Sequence, residues 1–366
     1  MNVFFAGGGT GGHLYPALAI ARAMVAADSR VRPFFIGARR GIEREVLPKA
    51  EFPFELLDLH PLYRSQPWLN WRTIAGSATS WRRIARIAAE SPPCALVATG
   101  GYAAGIALGF AAAHRIPIVI QEQNSFPGLT VRWFAPRAMQ LHLGFPEAAR
   151  LLRTGPRARV FASGNPIAPP IPPDQRPSYA EVSTRWGFDD SPKRTVLVFG
   201  GSQGAEGINR VVADWAPSAA GEVRIIWATG RTNFEKYSGL DAPLLRVVPF
   251  ISPMSEAYCA ADIAVTRAGA MTTAELSAWG IPAVLVPLPT AAADHQTANA
   301  RALSESGSAI LIQQPALTSE LLGATVTRLV NDPQLLSEMR DRTLERARPD
   351  AAQDIAVNIL GMDCFK

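Results

Sequence analysis

Cysteine and charge are both scarce in this chain. Its 366 residues include three cysteines, and 18% of them are charged. Cys94, Cys259 and Cys364 stand far apart and form no CxxC pair, so neither a zinc ribbon nor a disulfide-bonded secreted scaffold is expected, and a reducing cytosol fits better. The 36 basic residues exceed the 31 acidic ones by only five. This small excess does not indicate a nucleic-acid-binding protein, but it suits contact with phosphates or an anionic surface.

Long apolar runs are also missing. The longest, residues 103–113, is too short to cross a bilayer and contains two glycines. The first residues show no signal-peptide pattern. We therefore expect any contact with a membrane to be peripheral. The 48% of hydrophobic residues is enough for sizeable cores, and the length favours two domains.

Two segments follow the same plan of a β-prone run, a glycine-rich turn and a helical stretch. In the first, residues 2–6 lead into GGGTGGH at residues 7–13 and then into a helical stretch from Pro16. In the second, residues 195–199 lead into GGSQGA at residues 200–205 and a further helix. Continuous apolar strands of this kind are typical of a parallel sheet that is covered on both faces.

Further β-prone runs alternate with helical stretches in both halves. These predicted strands are residues 32–36, 95–98, 116–120, 223–228, 261–265 and 283–286. Their alternation predicts an α/β protein with a doubly wound parallel sheet in each half. Such sheets bind ligands beyond the carboxyl ends of their strands. We therefore expect two Rossmann-like domains facing a cleft, one holding a donor and the other an acceptor.

The predicted boundary between the halves is GNP at residues 164–166, which precedes a proline-rich stretch. We predict an N-terminal domain at residues 1–163, a C-terminal domain at residues 164–340 and a tail at residues 341–366. The tail includes an apolar helical stretch at residues 355–360. This stretch is a candidate for packing back on the N-terminal domain.

The glycine turns are candidate phosphate sites. Bare backbone N–H groups and the helix dipole favour an anion at a helix start. The formal GxGxxG match in the first turn is weak by itself, and a turn without a ligand is the alternative. A third glycine turn strengthens the prediction because Arg267 precedes it and is suited to neutralise a diphosphate. Glu275, on the following helix, either accepts hydrogen bonds from ribose hydroxyls or only stabilises the helix N-terminus.

A series of motifs resembles the MurG family of peptidoglycan glycosyltransferases, which have the GT-B fold, and the match covers nearly the whole chain. The motifs are GGTGGH at 8–13, GGY at 100–102, EQN at 122–124, GNP at 164–166, GGSQGA at 200–205, the segment 267–275, and DHQ at 294–296 with Asn299. The resemblance implies inverting transfer of N-acetylglucosamine from UDP-GlcNAc to the 4-hydroxyl of lipid I, a polyprenyl-diphosphate-linked muramyl pentapeptide, which gives lipid II. It also implies peripheral attachment to an anionic membrane surface at the cytoplasmic face of the plasma membrane, partners among cell-wall synthesis proteins, and roles in cell shape and division. We expect no cofactor, metal or nucleic acid.

The resemblance implies ligand-binding roles in both halves. Contacts with UDP-GlcNAc are implied for Ser202, Phe250, Ile251, Arg267, Ala270, Met271, Thr272, Thr273, Ala274, Glu275 and Gln296. Among these, Ser202 would contact the diphosphate, Phe250 would cap the uracil and Gln296 would hold the sugar hydroxyls. Acceptor binding is implied for Thr10, Gly11, Gly12, Tyr102, Glu122 and Asn124. Of this second set, Thr10, Gly11, Gly12 and Asn124 are also candidate donor contacts.

Two features depart from the family pattern. The family usually has an arginine just after the GNP motif, whereas Ile167 and Ala168 stand there in this chain. A phosphate or sugar contact is therefore missing or is supplied by another residue such as Arg176. The family's basic glycine loop is also poorly matched by residues 59–64. The sequence therefore specifies donor recognition more closely than acceptor recognition.

His13 is the candidate general base. Transfer requires that the acceptor hydroxyl loses a proton, and a histidine at a helix start beside a glycine turn is placed to accept it. The oxygen would then attack the anomeric carbon directly. The alternative is that His13 only caps the turn or orients the acceptor phosphate. Arg267, Ser202 and the helix N-termini would stabilise the charge of the departing nucleotide. The five histidines lack the spacing of metal ligands.

Two clusters combine aromatic and basic residues. The first contains Trp68, Trp71, Arg72, Trp81, Arg82, Arg83 and Arg86, and the second contains Arg132, Trp133, Phe134 and Arg137. Tryptophan suits the bilayer interface, and arginine suits anionic head groups. The alternative is that these are ordinary helix faces packed on the sheet, with solvated arginines opposite. The lipid-linked acceptor of the resembling family favours membrane contact.

Other functions share parts of this pattern. The same fold would suit a glycosyltransferase with a different acceptor or a UDP-GlcNAc 2-epimerase. A catalytically inactive sugar-binding partner is a further alternative. An NAD-dependent dehydrogenase is disfavoured because the second predicted strand is followed by GARR at residues 37–40, without the acidic residue that would bind a ribose.

Overall fold

The structure is a computed structural model that describes residues 1–59, 70–189, 192–201 and 204–365, apart from the side chains of residues 70–75. The chain divides into two compact units. The first contains residues 1–167 and 350–366, and the second contains residues 168–349. Each unit is built on a wholly parallel sheet, so the prediction of two Rossmann-like α/β domains is confirmed.

Within its described residues, the first unit has a seven-stranded sheet in the order β3-β2-β1-β4-β5-β6-β7. The strands are β1 (Asn2–Gly7), β2 (Arg32–Ala38), β3 (Phe54–Leu57), β4 (Pro93–Gly100), β5 (Ile118–Glu122), β6 (Gln140–Leu143) and β7 (Arg159–Phe161). The order reverses between β1 and β4. In open α/β sheets this switch point is where ligands bind, beyond the carboxyl ends of the strands.

Helices cover both faces of the first sheet. They are α1 (Gly11–Ala27), α2 (Glu43–Val46), α3 (Asn70–Glu90), α4 (Tyr102–Ala113), α5 (Leu129–Phe134) and the last helix of the chain, α14 (Ala351–Leu360). Side chains of β1 alternate between two cores, as the pleat of a strand requires. Val3 and Phe5 pack in the core that includes residues of α1 and α14, whereas Phe4 packs in the core that includes residues of α3 and α4.

The second unit repeats this plan with six described strands in the order β10-β9-β8-β11-β12-β13. They are β8 (Thr195–Phe199), β9 (Arg224–Ala228), β10 (Leu245–Val248), β11 (Ile263–Thr266), β12 (Ala283–Leu285) and β13 (Ala309–Leu311). Its helices are α6 (Tyr179–Arg185), α7 (Glu206–Ala219), α8 (Phe234–Tyr237), α9 (Met254–Ala260), α10 (Ala270–Trp279), α11 (His295–Glu305), α12 (Ser319–Asn331) and α13 (Pro333–Glu345). Here the order reverses between β8 and β11, so the carboxyl ends of these two strands define the ligand-binding edge.

The last helix returns to the first unit. Ile355 and Ile359 of α14 are fully buried in the core that also contains Leu14 of α1. The Gln140 side chain on β6 donates a 2.8 Å hydrogen bond to the carbonyl oxygen of Asn358. The final segment is therefore a structural part of the first sheet domain.

None of the helices in the described part of the chain is long and apolar enough to cross a membrane.

Candidate active site

His13 lies in the first turn of α1, beside the loop that follows β4. Its Nδ1 atom is 2.9 Å from the carbonyl oxygen of Thr99 and 2.8 Å from Oε1 of Gln123. In return, the Thr99 hydroxyl donates a 2.7 Å hydrogen bond to the carbonyl oxygen of His13. A carbonyl oxygen can only accept, so Nδ1 carries the proton of the neutral ring and Nε2 presents its lone pair. This is the tautomer that a general base acting through Nε2 requires.

Glycine allows the close packing around this imidazole. Gly101 has φ +77°, and a Cβ added to it would lie 2.2 Å from the carbonyl oxygen of Gly8 and 3.2 Å from Cδ2 of His13. A Cβ added to Gly9, where φ is +89°, would lie 2.8 Å from the Tyr102 ring. Only glycine tolerates both the positive φ and the contact. The first glycine turn, His13 and Tyr102 are therefore in one place.

A buried carboxylate supports the first glycine turn. Glu43 is fully buried, and its Oε1 accepts hydrogen bonds from the amides of Gly9, at 3.0 Å, and Ala38, at 3.2 Å. Sequence reasoning missed this residue because a lone glutamate in a short helix carries no signal. One amide of the turn is thus occupied by a side chain of the protein itself. The remaining candidates for anion contact are at Thr10, Gly11 and Gly12, where α1 begins.

The EQN motif forms the next loop of this site. Glu122, 2% exposed, ends β5, and its Oε1 accepts hydrogen bonds from the Asn124 amide at 2.9 Å and from the Asn124 side chain at 3.2 Å. Its Oε2 accepts from the amide of Gly128 at 2.9 Å. The carboxylate of Glu122 therefore shapes the loop that presents Asn124. Direct contact between Glu122 and the acceptor stays a prediction.

In the second unit, Arg267 follows β11 at the carboxyl end of the sheet. One terminal nitrogen donates to the carbonyl oxygens of Val286 and Pro287, both at 3.1 Å, and the other donates to Oε1 of Gln314 at 2.6 Å. Burial lowers the pKa of Arg267. Gln314 also lies against Gly207 in the first turn of α7, where an added Cβ would be 2.6 Å from its Oε1. The guanidinium is therefore held near the start of α7.

Glu275 is held by a partner that the sequence did not indicate. Its Oε2 accepts a 2.7 Å hydrogen bond from the hydroxyl of Tyr258, which is 5% exposed. Burial raises the pKa of Glu275, while the hydrogen bond from Tyr258 acts in the opposite direction. Burial also raises the pKa of Tyr258, and the charge of Glu275 adds to that effect. The phenol is therefore the donor, and it fixes the orientation of the carboxylate.

Phe250 is exposed at the same edge of the sheet. Its side chain is 42% exposed, whereas the neighbouring Ile251 is buried. The guanidinium carbon of Arg231 lies 5.2 Å from the centroid of the Phe250 ring, a cation–π arrangement. No sequence pattern indicated Arg231, because its contact depends on two loops that follow neighbouring strands, β9 and β10. An exposed aromatic ring supported in this way suits stacking on a planar base.

The first turns of α10 and α11 carry the other predicted donor residues. Thr273 is buried, and its hydroxyl lies 3.1 Å from the carbonyl oxygens of both Gly269 and Ala270, so it is turned into the helix. Gln296 accepts a 3.0 Å hydrogen bond from the Leu288 amide through its Oε1. Its amide nitrogen is therefore the group suited to a sugar hydroxyl. The other residues of this set, Met271, Thr272 and Ala274, are partly exposed on α10.

The structure describes Arg176, the suggested replacement for the family arginine, but leaves another predicted residue undescribed. The guanidinium of Arg176 stacks 4.8 Å above the ring of Trp279, and its Nε donates a 2.9 Å hydrogen bond to the carbonyl oxygen of Ile171. Trp279 ends α10, about 14 Å along the helix axis from Ala270 at 1.5 Å per residue. Arg176 therefore lies away from the first turn of α10. Ser202 lies outside the described residues.

The two clusters of aromatic and basic residues contain packed residues, exposed residues and residues that the structure does not describe. Trp81 is partly buried and packs edge-on against Phe110, with the ring centroids 5.3 Å apart, so it lies against the core of the first unit. The arginines that follow it, Arg82, Arg83 and Arg86, are exposed. In the second cluster Trp133 is 56% exposed. Trp68 lies outside the described residues, as does most of the poorly matched loop at residues 59–64, and the side chains of Trp71 and Arg72 are not described. Phe134 is half-buried, and Arg132 and Arg137 are exposed.

No group of three or more histidine, cysteine, aspartate or glutamate side chains that could hold a metal ion occurs among the residues that the structure describes.

Comparison with known proteins identifies the family. The model of the glycosyltransferase family 28 N-terminal domain matches residues 3–142, and that of its C-terminal domain matches residues 195–355. The UDP-N-acetylglucosamine–N-acetylmuramyl-(pentapeptide) pyrophosphoryl-undecaprenol N-acetylglucosamine transferase of Prosthecochloris aestuarii is 38% identical, with 100% of both chains covered. The enzyme of the same name from Salinibacter ruber is 37% identical over 99% of this chain and 96% of its own.

Solved structures agree with these relatives. The crystal structure of Acinetobacter baumannii MurG superposes with a TM-score of 0.76 and 28% identity, covering 99% of each chain. The calicheamicin glycosyltransferase CalG4, at 15% identity and a TM-score of 0.67 over 99% of this chain and 98% of its own, shares the fold alone. The chain therefore belongs to glycosyltransferase family 28, and within it to the MurG family of N-acetylglucosamine transferases.

Proposed function

We infer that this protein transfers N-acetylglucosamine from UDP-N-acetylglucosamine to the 4-hydroxyl of the muramyl sugar of lipid I, giving lipid II and UDP. The observation that carries the chemistry is the orientation of the His13 imidazole, whose Nδ1–H donates to the carbonyl oxygen of Thr99 and whose Nε2 is left with its lone pair. The substrates come from the name shared by full-length relatives. A UDP-sugar transferase with a different acceptor and a 2-epimerase remain the competing functions of this fold.

The reaction needs one proton transfer and one displacement. His13 Nε2 accepts the proton of the acceptor hydroxyl while its oxygen forms a bond to the anomeric carbon of N-acetylglucosamine. The bond from that carbon to the diphosphate oxygen breaks, and UDP leaves with the electron pair. Attack from the face opposite the leaving group inverts the anomeric configuration. The proton on His13 is then released to solvent.

The second unit supplies the donor-binding residues in this proposal. Phe250 stacks on the uracil, Ile251 contacts it through backbone groups, and the Glu275 carboxylate accepts hydrogen bonds from the ribose. Arg267, together with the backbone at the start of α10, stabilises the negative charge that develops on UDP. Gln296 donates its amide hydrogens to the sugar, because its carbonyl oxygen already accepts from Leu288.

The first unit binds the acceptor. The start of α1, at Thr10, Gly11 and Gly12, offers backbone N–H groups and a helix dipole to the lipid-linked diphosphate. Tyr102 packs on the first glycine turn, and Asn124 projects from a loop that Glu122 holds in shape. Glu122 thus acts through the loop in this proposal.

Contact with the membrane is part of the proposal. The protein attaches peripherally to the cytoplasmic face of the plasma membrane, where its acceptor lies, and works with other cell-wall synthesis proteins in cell shape and division. Trp133 supports this attachment because it is 56% exposed and stands between exposed arginines, Arg132 and Arg137. Vesicle sedimentation tests it. Binding to anionic vesicles should weaken in a Trp133→Ser protein and at high salt, whereas binding to anionic vesicles that neither change weakens would contradict it.

The activity is tested with UDP-N-acetylglucosamine and a soluble lipid I analogue, by measuring the disaccharide product and released UDP. We expect turnover by the wild-type protein and a loss of roughly 10²–10⁴-fold in kcat for His13→Ala, the usual contribution of a general base. His114→Ala is the matched control, since His114 is exposed and follows the last residue of α4, away from the glycine turn.

Three results would contradict this assignment. Epimerisation of the UDP-sugar in the absence of acceptor would favour the 2-epimerase. Binding of UDP without transfer to any acceptor would favour an inactive sugar-binding protein. Near-normal kcat in His13→Ala at saturating acceptor would remove His13 as the base.

A further inference from the structure

Three buried side-chain amides connect the GNP turn to His13 inside the first unit. The Gln121 amide nitrogen donates a 3.0 Å hydrogen bond to Oδ1 of Asn165, and the Asn165 amide nitrogen donates a 3.0 Å hydrogen bond to the carbonyl oxygen of Gln123. The Gln123 side chain then reaches His13 Nδ1 through its Oε1 at 2.8 Å. All three amides are at most 2% exposed.

The surroundings of Gln123 determine which end of its amide faces the imidazole. Its Nε2 lies 2.9 Å from the carbonyl oxygen of Thr99 and 3.2 Å from that of Gln121, and it is also hydrogen-bonded to Oε1 of Gln121. Two of these neighbours are backbone carbonyls, which can only accept. The third is the oxygen end of the Gln121 amide, because the nitrogen of that amide already donates to Asn165. Reversing the Gln123 amide would place its oxygen against these acceptors. The Oε1 atom must therefore face Nδ1 of His13.

Asn165 is itself held in one place. A Cβ added to Gly144, which follows β6, would lie 2.3 Å from Oδ1 of Asn165, so the side chain fills the space above that glycine. The oxygen of Asn165 accepts from the Gln121 side chain, and its nitrogen donates to the backbone carbonyl of Gln123. These two bonds fix the orientation of the Asn165 amide. The order of donors and acceptors thus runs without ambiguity from Asn165 through Gln121 and Gln123 to the imidazole.

We propose that Asn165, Gln121 and Gln123 are positioning residues that act together on His13, keeping its neutral ring in the Nδ1–H tautomer with Nε2 available. This rests on the proposed role of His13 as the base. Thr99 supplies one acceptor for the Nδ1 proton, and Gln123 supplies the second. Loss of Asn165 removes the acceptor of the Gln121 side-chain nitrogen and the donor to the carbonyl oxygen of Gln123, so Gln123 is held less firmly beside Nδ1. When the Oε1 of Gln123 moves away, the Nδ1 proton keeps only the Thr99 carbonyl, which raises the share of the opposite tautomer, whose Nε2 has no lone pair to accept a proton.

Kinetics of paired variants provide the first test. Asn165→Leu and Gln123→Leu should each lower kcat roughly 10- to 100-fold, because an imidazole in the wrong tautomer is a poor base. The KM for UDP-N-acetylglucosamine should stay within about twofold, since an interaction lost only in the transition state lowers kcat alone. Gln140→Leu is the matched control, because Gln140 is a buried amide of the same sheet that is hydrogen-bonded to His142 and Asn358. Its kcat should be unchanged.

A double-mutant cycle separates positioning from general support of the fold. In a His13→Ala background, Asn165→Leu and Gln123→Leu should cause no further loss of kcat, because residues that act through one group are not additive. Losses that multiply in that background would overturn the proposal, and so would unchanged kcat in both single variants. If Asn165→Leu does not fold, Gln123→Leu and Gln121→Leu take its place in the cycle.

The tautomer can be measured without any activity. In the wild-type protein labelled with ¹⁵N-histidine, the neutral His13 ring should show a protonated Nδ1 and an unprotonated Nε2, and Gln123→Leu should raise the share of the other tautomer. A wild-type ring with its proton on Nε2, or identical tautomer ratios in both proteins, would overturn the proposal. A protein that shows the expected tautomer but makes no disaccharide would instead count against the proposed function.

Discussion

The hydroxyl of Tyr258 on α9 donates a 2.7 Å hydrogen bond to Oε2 of Glu275 on α10. In the chain, α9 precedes β11 and α10 follows it, and neither helix positions the carboxylate by itself. Tyr258 is 5% exposed and packs on the rings of Phe199 and Trp279. The proposed ribose-binding carboxylate is therefore oriented by a core tyrosine.

Replacing this tyrosine should weaken donor binding in a pH-dependent way. We expect Tyr258→Phe to raise the KM for UDP-N-acetylglucosamine roughly three- to tenfold, since one hydrogen bond typically contributes about 0.5–1.5 kcal/mol. The bond favours the charged form of Glu275, so its loss lets burial raise the pKa of Glu275 further. The defect should therefore be larger at pH 6 than at pH 8.

Steady-state kinetics at the two pH values check this. Tyr237→Phe is the control, because Tyr237 is also buried and donates to a glutamate, Glu206, at 3.0 Å, without a proposed ribose contact. Equal KM changes in both variants would show that the effect is only a loss of core stability.

Gly101, which precedes α4, should not tolerate replacement, whereas Gly105, inside α4, should tolerate it. An added Cβ at Gly101 would be 2.2 Å from the Gly8 carbonyl oxygen, and the residue has φ +77°. The positive φ alone makes Gly101→Ala unfavourable by roughly 1–3 kcal/mol. The displaced turn should also lower kcat roughly 10- to 100-fold, because small misplacements of catalytic groups are costly.

Gly105→Ala is the matched substitution. The nearest side-chain atom to its added Cβ, on Thr130, is 4.0 Å away, and an alanine inside a helix is favoured by roughly 0.5–1 kcal/mol. In Gly101→Ala the unfolding temperature and kcat should both fall. In Gly105→Ala each of them should rise or stay unchanged. An active and stable Gly101→Ala protein would refute the packing described for the first glycine turn.

The cation–π contact at Phe250 should contribute modestly to donor binding. We expect Arg231→Ala to raise the KM for UDP-N-acetylglucosamine roughly two- to fivefold, as an exposed contact of this kind contributes about 0.5–1 kcal/mol. Phe250→Ala should have a larger effect, because it removes the stacking ring itself. Arg328→Ala, at an exposed arginine of α12, controls for the lost charge. A KM that is unchanged in Arg231→Ala but raised in Arg328→Ala would argue against the contact.

His142 should make the first unit less stable in acid. It is fully buried between Ser163, at 2.8 Å from Nδ1, and Gln140, at 3.0 Å from Nε2, and burial lowers the pKa of His142 from 6.5 to about 4. Between pH 6.5 and about pH 4, His142 therefore binds a proton in the unfolded chain but stays neutral in the folded protein. Stability is fully present above pH 6.5 and falls by about 3 kcal/mol as the pH drops to 4, at 1.36 kcal/mol per pH unit.

Urea unfolding at pH 7.5, 5.5 and 4.5 measures this dependence. His142→Gln should be less stable at pH 7.5 because its hydrogen bonds are disturbed, yet its midpoint should fall less between pH 7.5 and 4.5 than that of the wild-type protein. His114→Gln, at an exposed histidine, should follow the wild-type curve. Parallel curves for His142→Gln and wild type would show that another group causes the acid sensitivity.

Most of the fold could be read from the sequence because central parallel strands are continuous apolar runs. The run at residues 195–199 coincides with β8, and the other central strands lie within a few residues of their predictions. β6 escaped prediction because the buried polar residues Gln140 and His142 interrupt its pattern. β13 was not predicted either, because it is only three residues long. The helix predicted from Pro16 begins at Gly11, since glycines of the turn occupy its first positions.

The candidate site was only partly predictable. Motifs indicated His13, Arg267 and Glu275, because glycine turns before helices mark anion sites. Their partners, such as Tyr258, come from segments whose sequences carry no local signal, since a hydrogen bond between distant residues depends on how helices pack. The suggestion that Arg176 replaces a family arginine stays a prediction, and the sequence could not show that its guanidinium lies on Trp279.

The sequence by itself determined the two sheet domains, the glycine turns and the family, because periodicity and motif order are local properties of the chain. The tertiary structure decided the tautomer of His13, the orientation of Glu275 and the return of α14 to the first sheet. Each of these depends on residues far apart in sequence, such as His13 and Thr99, or Gln140 and Asn358, that only packing brings within hydrogen-bond distance.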